Sequence, residues 1–251
     1  MTPLILASSR QNVLRDFFSR PTLLAFDFDG TLCPIVDDPR DARLSATTIR
    51  LLNRLAQCHP VALISGRSYS DLLRLTAKVQ AAYRVGSHGI DWGQPSVQTR
   101  QAARLTKTWR RALIDVGLPP GMVLEDKEFS LSLHYRWVSR PVDLNRWQVQ
   151  LRRRLGPDCR WVAGKFVWNL IPKQALHKGD ALRLLWRKSG AAHVFFAGDD
   201  VTDEDAFRMR GGRRFLSVRV GRNRVTRASY ALRDQSEMDL LLGEMVTILQ
   251  R

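Results

Sequence analysis

Leu23-Leu24-Ala25-Phe26, Val61-Ala62-Leu63-Ile64 and Val194-Phe195-Phe196-Ala197 are short, unbroken apolar runs. Runs of this length that end in turn-forming residues read as strands buried on both faces, the pattern of a parallel sheet. Between them apolar residues recur at three- and four-residue spacing, as at Ile49, Leu52, Leu55 and Ala56, which predicts helices laid on that sheet. Read in order, the pattern predicts a helix over 11–19, the strand at Leu23, and a helix over 46–58 with Ser45 as its N-cap. The strand at Val61, a helix over 70–79 and a short strand over 83–85 follow. A polar stretch with Pro95, over 94–100, then marks a boundary, and the rhythm changes. Beyond it come a helix over 105–116 and two alternating strands over 123–127 and 129–136. A helix over 142–155 follows, with Leu144, Trp147, Val149 and Leu151 mostly facing a core, then two strand segments over 161–170 that turn at Gly164-Lys165. Helix, hairpin, helix, hairpin makes a self-contained α+β unit. The first rhythm returns with a helix over 178–188, strands over 194–198 and 215–221, a short helix over 206–209, a turn over 228–232 and a closing helix over 237–250. The expected fold class is α/β: a Rossmann-like parallel-sheet core, residues 1–98 and 174–251, with an inserted α+β cap domain, residues 99–173.

Chemistry gathers where the apolar runs stop. The first strand gives way to Asp27-Phe28-Asp29-Gly30-Thr31. Period-two geometry puts Asp27 and Asp29 on one side, converging at the C-terminal end of the strand, where open α/β sheets bind their ligands. Two carboxylates held close repel unless a charge offsets them, and a hard cation such as Mg²⁺ suits carboxylates together with a substrate phosphate. The strand at Val194 ends in five acids within the seven residues from Asp199 to Asp205, costly without cations. The strand at Val61 ends in Ser65-Gly66-Arg67, a hydroxyl and a glycine amide that can donate to a phosphate oxygen. Lys178 opens a helix, a position that the dipole disfavours unless an anion sits there too. Gly86-Ser87-His88-Gly89 brackets a histidine between glycines, as in a tight loop beside a ligand. In the insert, Glu125-x-Lys127 and His134-x-Arg136 put polar groups on one face of each strand, groups able to hydrogen-bond a polyol.

The 251 residues carry 44% hydrophobic and 25% charged side chains, ordinary for a soluble globular protein. No apolar run approaches the roughly 20 residues that span a bilayer, and the first ten residues do not read as a signal peptide. No membrane partner is expected. Cys33, Cys58 and Cys159 form neither a disulfide framework nor a CxxC pair, as in a reducing cytoplasm. A net charge of +16 raises nucleic acid as a partner. Yet the densest clusters, Arg152 to Arg154, Arg213-Arg214 and Arg219 to Arg227, are not interleaved with aromatics as in a nucleic-acid module. A solvated basic surface is expected instead.

Asp27-Phe28-Asp29-Gly30-Thr31, Ser65-Gly66-Arg67, Lys178 and Gly198-Asp199-Asp200-Val201-Thr202-Asp203-Glu204 resemble, in order, the four motifs of the haloacid dehalogenase-type phosphatases. The loop at His88 and the Glu125-x-Lys127 and His134-x-Arg136 pairs resemble the trehalose-6-phosphate phosphatase family within that superfamily. The resemblance implies that Asp27 is the nucleophile, Asp29 the general acid/base, and Ser65 and Lys178 the groups that bind and neutralise the phosphoryl group. It implies Mg²⁺ as cofactor, with Asp27, Asp29 (through its carbonyl), Asp199, Asp200 and Asp203 at the metal. It implies substrate contacts from Gly30, Thr31, Gly66, Arg67, His88 and Gly89 in the core, and from Glu125, Lys127, His134, Arg136 and Asn169 in the cap. Two kinds of position depart from the family: Asp91 stands where Glu is common, and Asn169 and Ile171 stand where Glu and a basic residue are usual. The implied activity is Mg²⁺-dependent hydrolysis of trehalose 6-phosphate in trehalose biosynthesis, by a cytoplasmic protein expected to be a monomer with a small-molecule sugar phosphate as its partner. A phosphatase for another glycosyl phosphate is the alternative that Asn169 and Ile171 support. A nucleic-acid-binding protein is the one supported by charge alone.

Overall fold

The computed structural model describes residues 2–139, 141–164, 166–221 and 225–249, without the side chains at 11 and 141–143. Lys165, expected in a turn, and positions 222–224 of the late arginine cluster lie outside the described residues. The chain divides into two compact units, Met1–Gly89 with His177–Arg251, and Ile90–Leu176. In chain order the first unit opens with α1 (Gln11–Phe18), β1 (Thr22–Phe26), α2 (Ala46–Ala56), β2 (Val61–Ile64), α3 (Tyr69–Leu75) and β3 (Tyr83–Val85). The second contains α4 (Val97–Val116), β4 (Val123–Asp126), β5 (Leu131–His134), α5 (Pro141–Leu155), β6 (Cys159–Gly164) and β7 (Val167–Pro172). The first resumes with α6 (Lys178–Ser189), β8 (His193–Gly198), α7 (Glu204–Phe207), β9 (Phe215–Val220), β10 (Tyr230–Leu232) and α8 (Met238–Leu249).

The first unit is built on a six-stranded sheet in the order β10-β9-β8-β1-β2-β3, its strand pairs all parallel. All five residues of β1 are buried, because both faces of the sheet are covered. Leu24 and Phe26 share one core with Leu14 and Phe17 of α1, Leu52 and Leu55 of α2, and Leu241, Leu242 and Met245 of α8. Alternation turns Leu23 and Ala25 to the other face, against which α6 packs. Ser45 caps α2 by accepting from the Thr48 amide, and the Thr48 hydroxyl donates to Asp239 (2.8 Å), which ties α2 to α8. The chain leaves β1 toward β2 on one side and returns to β8 on the other, so the sheet order reverses between β1 and β8. Phe26 pairs with Ala197, and the Asp27 amide donates to the Ala197 carbonyl (2.9 Å), so the two strands end level. That level is where such sheets hold their ligands.

The second unit is a four-stranded antiparallel sheet, β4-β5-β7-β6, with one face wholly apolar in its central strands and the other mixed. Leu131, Leu133 and Leu170 pack on Trp109 and Leu113 of α4 and on Leu144, Trp147, Leu151 and Leu155 of α5. Val149, expected to face this core, is 51% exposed, because it falls between the turns that carry 147 and 151. On the opposite face Glu125, Ser132 and Asn169 stand directly across from one another on adjacent strands.

Several boundaries differ from the sequence reading. Helix α4 begins at Val97, eight residues early, because Ser96 and Thr99 form a reciprocal capping box ahead of a mostly polar first stretch. The second unit accordingly begins at Ile90 and ends at Leu176, where the sequence placed 99 and 173. Strand β5 ends at His134, so Arg136 lies in the turn beyond it and the pleat does not set its direction. The expected turn over 228–232 contains β10, an edge strand of three residues held by parallel pairing to β9 and an isolated bridge to Leu4. Among the described residues no helix is long and apolar enough to cross a membrane.

Candidate active site

Because β1 stops at Phe26, Asp27 and Asp29 both lie in the loop that follows, and the two carboxylates take different partners. Asp27 is buried and accepts from Lys178 Nζ through Oδ1 (2.7 Å). Asp29 is part-exposed and sits in a guanidinium fork, with Arg67 Nε on Oδ2 (2.8 Å) and an Arg67 terminal nitrogen on Oδ1 (2.6 Å). Arg67, expected to steady the phosphoryl group, thus holds the second aspartate, while its other terminal nitrogen donates to the Pro39 carbonyl (2.9 Å). Gly30 has φ +79°, and a Cβ there would run into the Asp199 carboxylate, so both the backbone and the close approach of the two loops favour glycine. Its amide donates to the Cys33 carbonyl (2.7 Å). The Thr31 hydroxyl donates to Asp199 Oδ1 (3.1 Å). We expect Gly30→Ala to cost about 1–3 kcal/mol through strain and crowding. Activity should fall with it, and thermal denaturation beside a turnover assay checks both.

Helix α6 supplies Lys178 from its first position. His177 caps that helix through Nδ1, which accepts from the amides of Gly179 (3.1 Å) and Asp180 (3.2 Å). Lys178 is 2% exposed and bridges two aspartates, donating to Asp27 and to Asp203 at 2.7 Å each. Asp203 is wholly buried, and its other oxygen accepts the amides of Asp199 and Asp200 (2.9 Å each), which curls the acidic loop after β8. Asp27, Asp199 and Asp203 each offer an oxygen within 4.8 Å of the others. Three carboxylates therefore face one ammonium. Burial, and then the charges of Asp203 and Asp199, push the Asp27 carboxyl well above the usual carboxylate range despite Lys178. Burial, then Asp203, pushes Asp199 up to about 7. Burial pulls Lys178 down, but Asp203 and Asp27 outweigh it and keep the amine charged. Oxygen donors alone, dry and crowded with excess negative charge, fit a hard divalent cation.

Ser65 follows β2, and its hydroxyl accepts from the Arg67 amide (3.2 Å). The loop at His88 packs on it: the His88 amide donates to the Ser65 carbonyl (2.9 Å), and a Cβ on Gly66 would lie 2.5 Å from the His88 ring. His88 has φ +59°, unusual for a side-chain-bearing residue, and Gly89 abuts His177 at the start of α6. Ser65, Gly66, His88, Gly89 and Lys178 thus belong to one constellation. Cys33, beside the Asp27 loop, is buried, its thiol pKa raised by that burial, and it donates to the Arg43 carbonyl (3.2 Å), the bonding of a packing residue.

In the second unit Glu125 accepts from His134 (2.9 Å) and pairs with Lys127 (3.4 Å), so three predicted residues form one cluster. Asn169 Oδ1 accepts from the Ser132 hydroxyl (2.7 Å), and exposed Arg136 lies over the Phe166 ring (5.6 Å). Burial raises the Glu125 carboxyl, but His134 and Lys127 outweigh it and bring it down to about 2. A folded value below the unfolded one gives stability that is full above about pH 4.5 and lost as pH falls toward 2. With side chains 36–40% exposed the gain is at most about 1 kcal/mol. Unfolding of wild type and Glu125→Gln should therefore differ at pH 5 and converge by pH 2; a constant gap would contradict this pairing.

In the sequence Arg219 reads only as part of a basic cluster and Glu204 only as the end of the fourth motif, and sequence reasoning missed their pairing. Arg219 of β9 donates to the carbonyls of Asp199 and Asp200 and to Glu204. The available signal was a charged residue inside the apolar alternation Phe215-Leu216-Ser217-Val218-Arg219-Val220.

The central strands of the parallel sheet thus end in Asp27 and in the Asp199–Asp203 loop, with Lys178 between them, the arrangement expected from the resemblance to the haloacid dehalogenase-type phosphatases. The trehalose-phosphatase family model matches residues 25–236. Probable trehalose-phosphate phosphatase H of Arabidopsis thaliana is 32% identical over 254 residues, 89% of this chain and 71% of that protein. Trehalose-phosphate phosphatase of Mycobacterium avium (strain 104) is 37% identical over 201 residues, 74% of this chain and 51% of that protein. The C-terminal domain of C. albicans trehalose-6-phosphate phosphatase superposes with a TM-score of 0.76 over 98% of both chains at 22% identity, a likeness of fold. The chain belongs to the trehalose-phosphatase family and is a phosphoric monoester hydrolase.

Proposed function

We propose that the protein is a cytoplasmic, Mg²⁺-dependent phosphatase that hydrolyses trehalose 6-phosphate to trehalose and phosphate through an aspartyl-phosphate on Asp27. The observation that carries this reading is the buried Asp27–Lys178–Asp203 chain at the level where β1 and β8 end. Lys178 engages Oδ1 of Asp27, which leaves Oδ2 to attack phosphorus. As that bond forms, the bond from phosphorus to the sugar oxygen breaks, and Asp29 gives the leaving oxygen its proton. Delivery requires the Asp29 carboxyl to turn out of the Arg67 fork. Asp29 then takes a proton from the water that attacks phosphorus, which frees phosphate and restores Asp27. Lys178 offsets charge on the nucleophile and the transferring group, and Ser65, Gly66, Arg67, His88 and Gly89 line the phosphate end. Asp27, the Asp29 carbonyl and Asp199, with Asp200 and Asp203 beside them, would hold Mg²⁺, which when bound supplies further charge neutralisation at the phosphoryl group.

The unit containing residues 99–173 serves as the cap that reads the sugar, through Glu125, Lys127, His134, Arg136 and Asn169. With its carbonyl on Ser132, Asn169 has its NH₂ to donate to a sugar hydroxyl. Another glycosyl phosphate is the second reading, favoured by the uncharged Asn169 and Ile171. Borohydride quenching during turnover tests the proposal, because an acyl phosphate is reduced to the alcohol. Homoserine at position 27 by peptide mass spectrometry is expected; quenched turnover with Asp27 intact throughout would overturn the covalent route.

A further inference from the structure

We propose that Arg219, with Glu204, is a positioning pair that sets the geometry of the cation-binding loop and its preference for a small cation. The inference rests on the metal-dependent reading above. Arg219 is 7% exposed in β9, where it pairs in register with Gly198, the residue before Asp199. One terminal nitrogen donates to the Asp199 carbonyl, and the other reaches the Asp200 carbonyl (3.4 Å) and Glu204 Oε1 (3.1 Å). The second oxygen of Glu204 accepts the Arg227 amide (2.9 Å), which fixes the carboxylate in turn.

The amides of Asp199 and Asp200 are taken by Asp203 Oδ2, and their carbonyls by Arg219. The Asp199–Asp200 peptide plane is thus gripped from both sides. Carbonyls turned to a guanidinium are not turned to a cation, so the loop offers its carboxylates instead. A planar, multi-donor head holds two carbonyls and a carboxylate in fixed directions, which a point-charge ammonium on a flexible stem reproduces only in part. Rigidity of this kind matters most for Mg²⁺, which demands near-octahedral geometry at about 2.0–2.1 Å, whereas Ca²⁺ accepts longer, irregular shells.

The test is calorimetric titration of MgCl₂ and CaCl₂ into wild type, Arg219→Gln, Arg219→Lys and Glu204→Gln without substrate, beside steady-state kinetics. Arg219→Gln should weaken Mg²⁺ binding by about 10–100-fold, the usual effect of losing an outer-shell partner. Ca²⁺ should weaken less, and Arg219→Lys should recover part of the loss. Saturating Mg²⁺ should restore most of kcat, with the KM for sugar phosphate unchanged. If Arg219→Gln fails to fold, Glu204→Gln carries the test, because it removes, at constant shape, the charge that anchors the guanidinium. Mg²⁺ affinity equal to wild type in a folded variant, or equal losses for both cations, would overturn the inference while the functional reading stands. Failure of the wild type to bind any divalent cation would overturn the metal-dependent reading and this inference with it.

Discussion

Replacing Lys178 by Met should destabilise the protein by about 3–5 kcal/mol, the usual cost of removing one partner from a buried ionic cluster. Lys178 is 2% exposed and is the ammonium shared by Asp27 and Asp203, neither of which can turn to water. Without it, two buried carboxylates stand beside a third, Asp199, already pushed up to about 7. Turnover should fall by about 10²–10³-fold, the range seen when one preorganised charge-stabilising donor is lost. Chemical denaturation and phosphate release measure the two effects separately. Adding Asp27→Asn to Lys178→Met should return part of the stability and none of the activity, because the second change removes one of the orphaned charges. A single variant as stable as wild type would mean that Lys178 does not hold this cluster together.

Asp27→Asn should reduce turnover by about 10⁴-fold or more, the scale on which loss of a nucleophile falls, and leave the protein folded. The direction of its stability effect follows from the site. Burial and two neighbouring carboxylates push the Asp27 carboxyl well above its usual range, so ionising it costs free energy in the folded state. A neutral isostere removes that cost, while Lys178 keeps its bond to Asp203. An inactive protein at least as stable as wild type is therefore expected. Substantial activity in Asp27→Asn would remove it as the nucleophile.

The parallel core and the acidic ends of its strands were legible because both are local. A fully buried strand must be apolar throughout, as β1 and β2 are, and the break to Asp27 or Ser65 marks where burial ends. Pairings between distant residues were not legible. Arg67 and Asp29 are 38 positions apart, and Arg219 reaches back 20 positions to Asp199; no periodicity links them. The two-residue rule placed Asp29 beside Asp27, but β1 ends at Phe26 and the rule ends with it. Arg136 escaped for the same reason at the end of β5. The first turns of α4 were hidden because exposed helix has no apolar stripe until Ala102 begins to pack against Phe129 and Ile171.

Phosphate release from trehalose 6-phosphate, beside sucrose 6-phosphate and glucose 6-phosphate at equal concentration with Mg²⁺, tests the proposed activity most directly. Strong preference for trehalose 6-phosphate, abolished in Asp27→Asn, is the expected result, and it would make Asn169 and Ile171 tolerated variations at the sugar end. Turnover of another sugar phosphate with none of trehalose 6-phosphate would contradict the substrate.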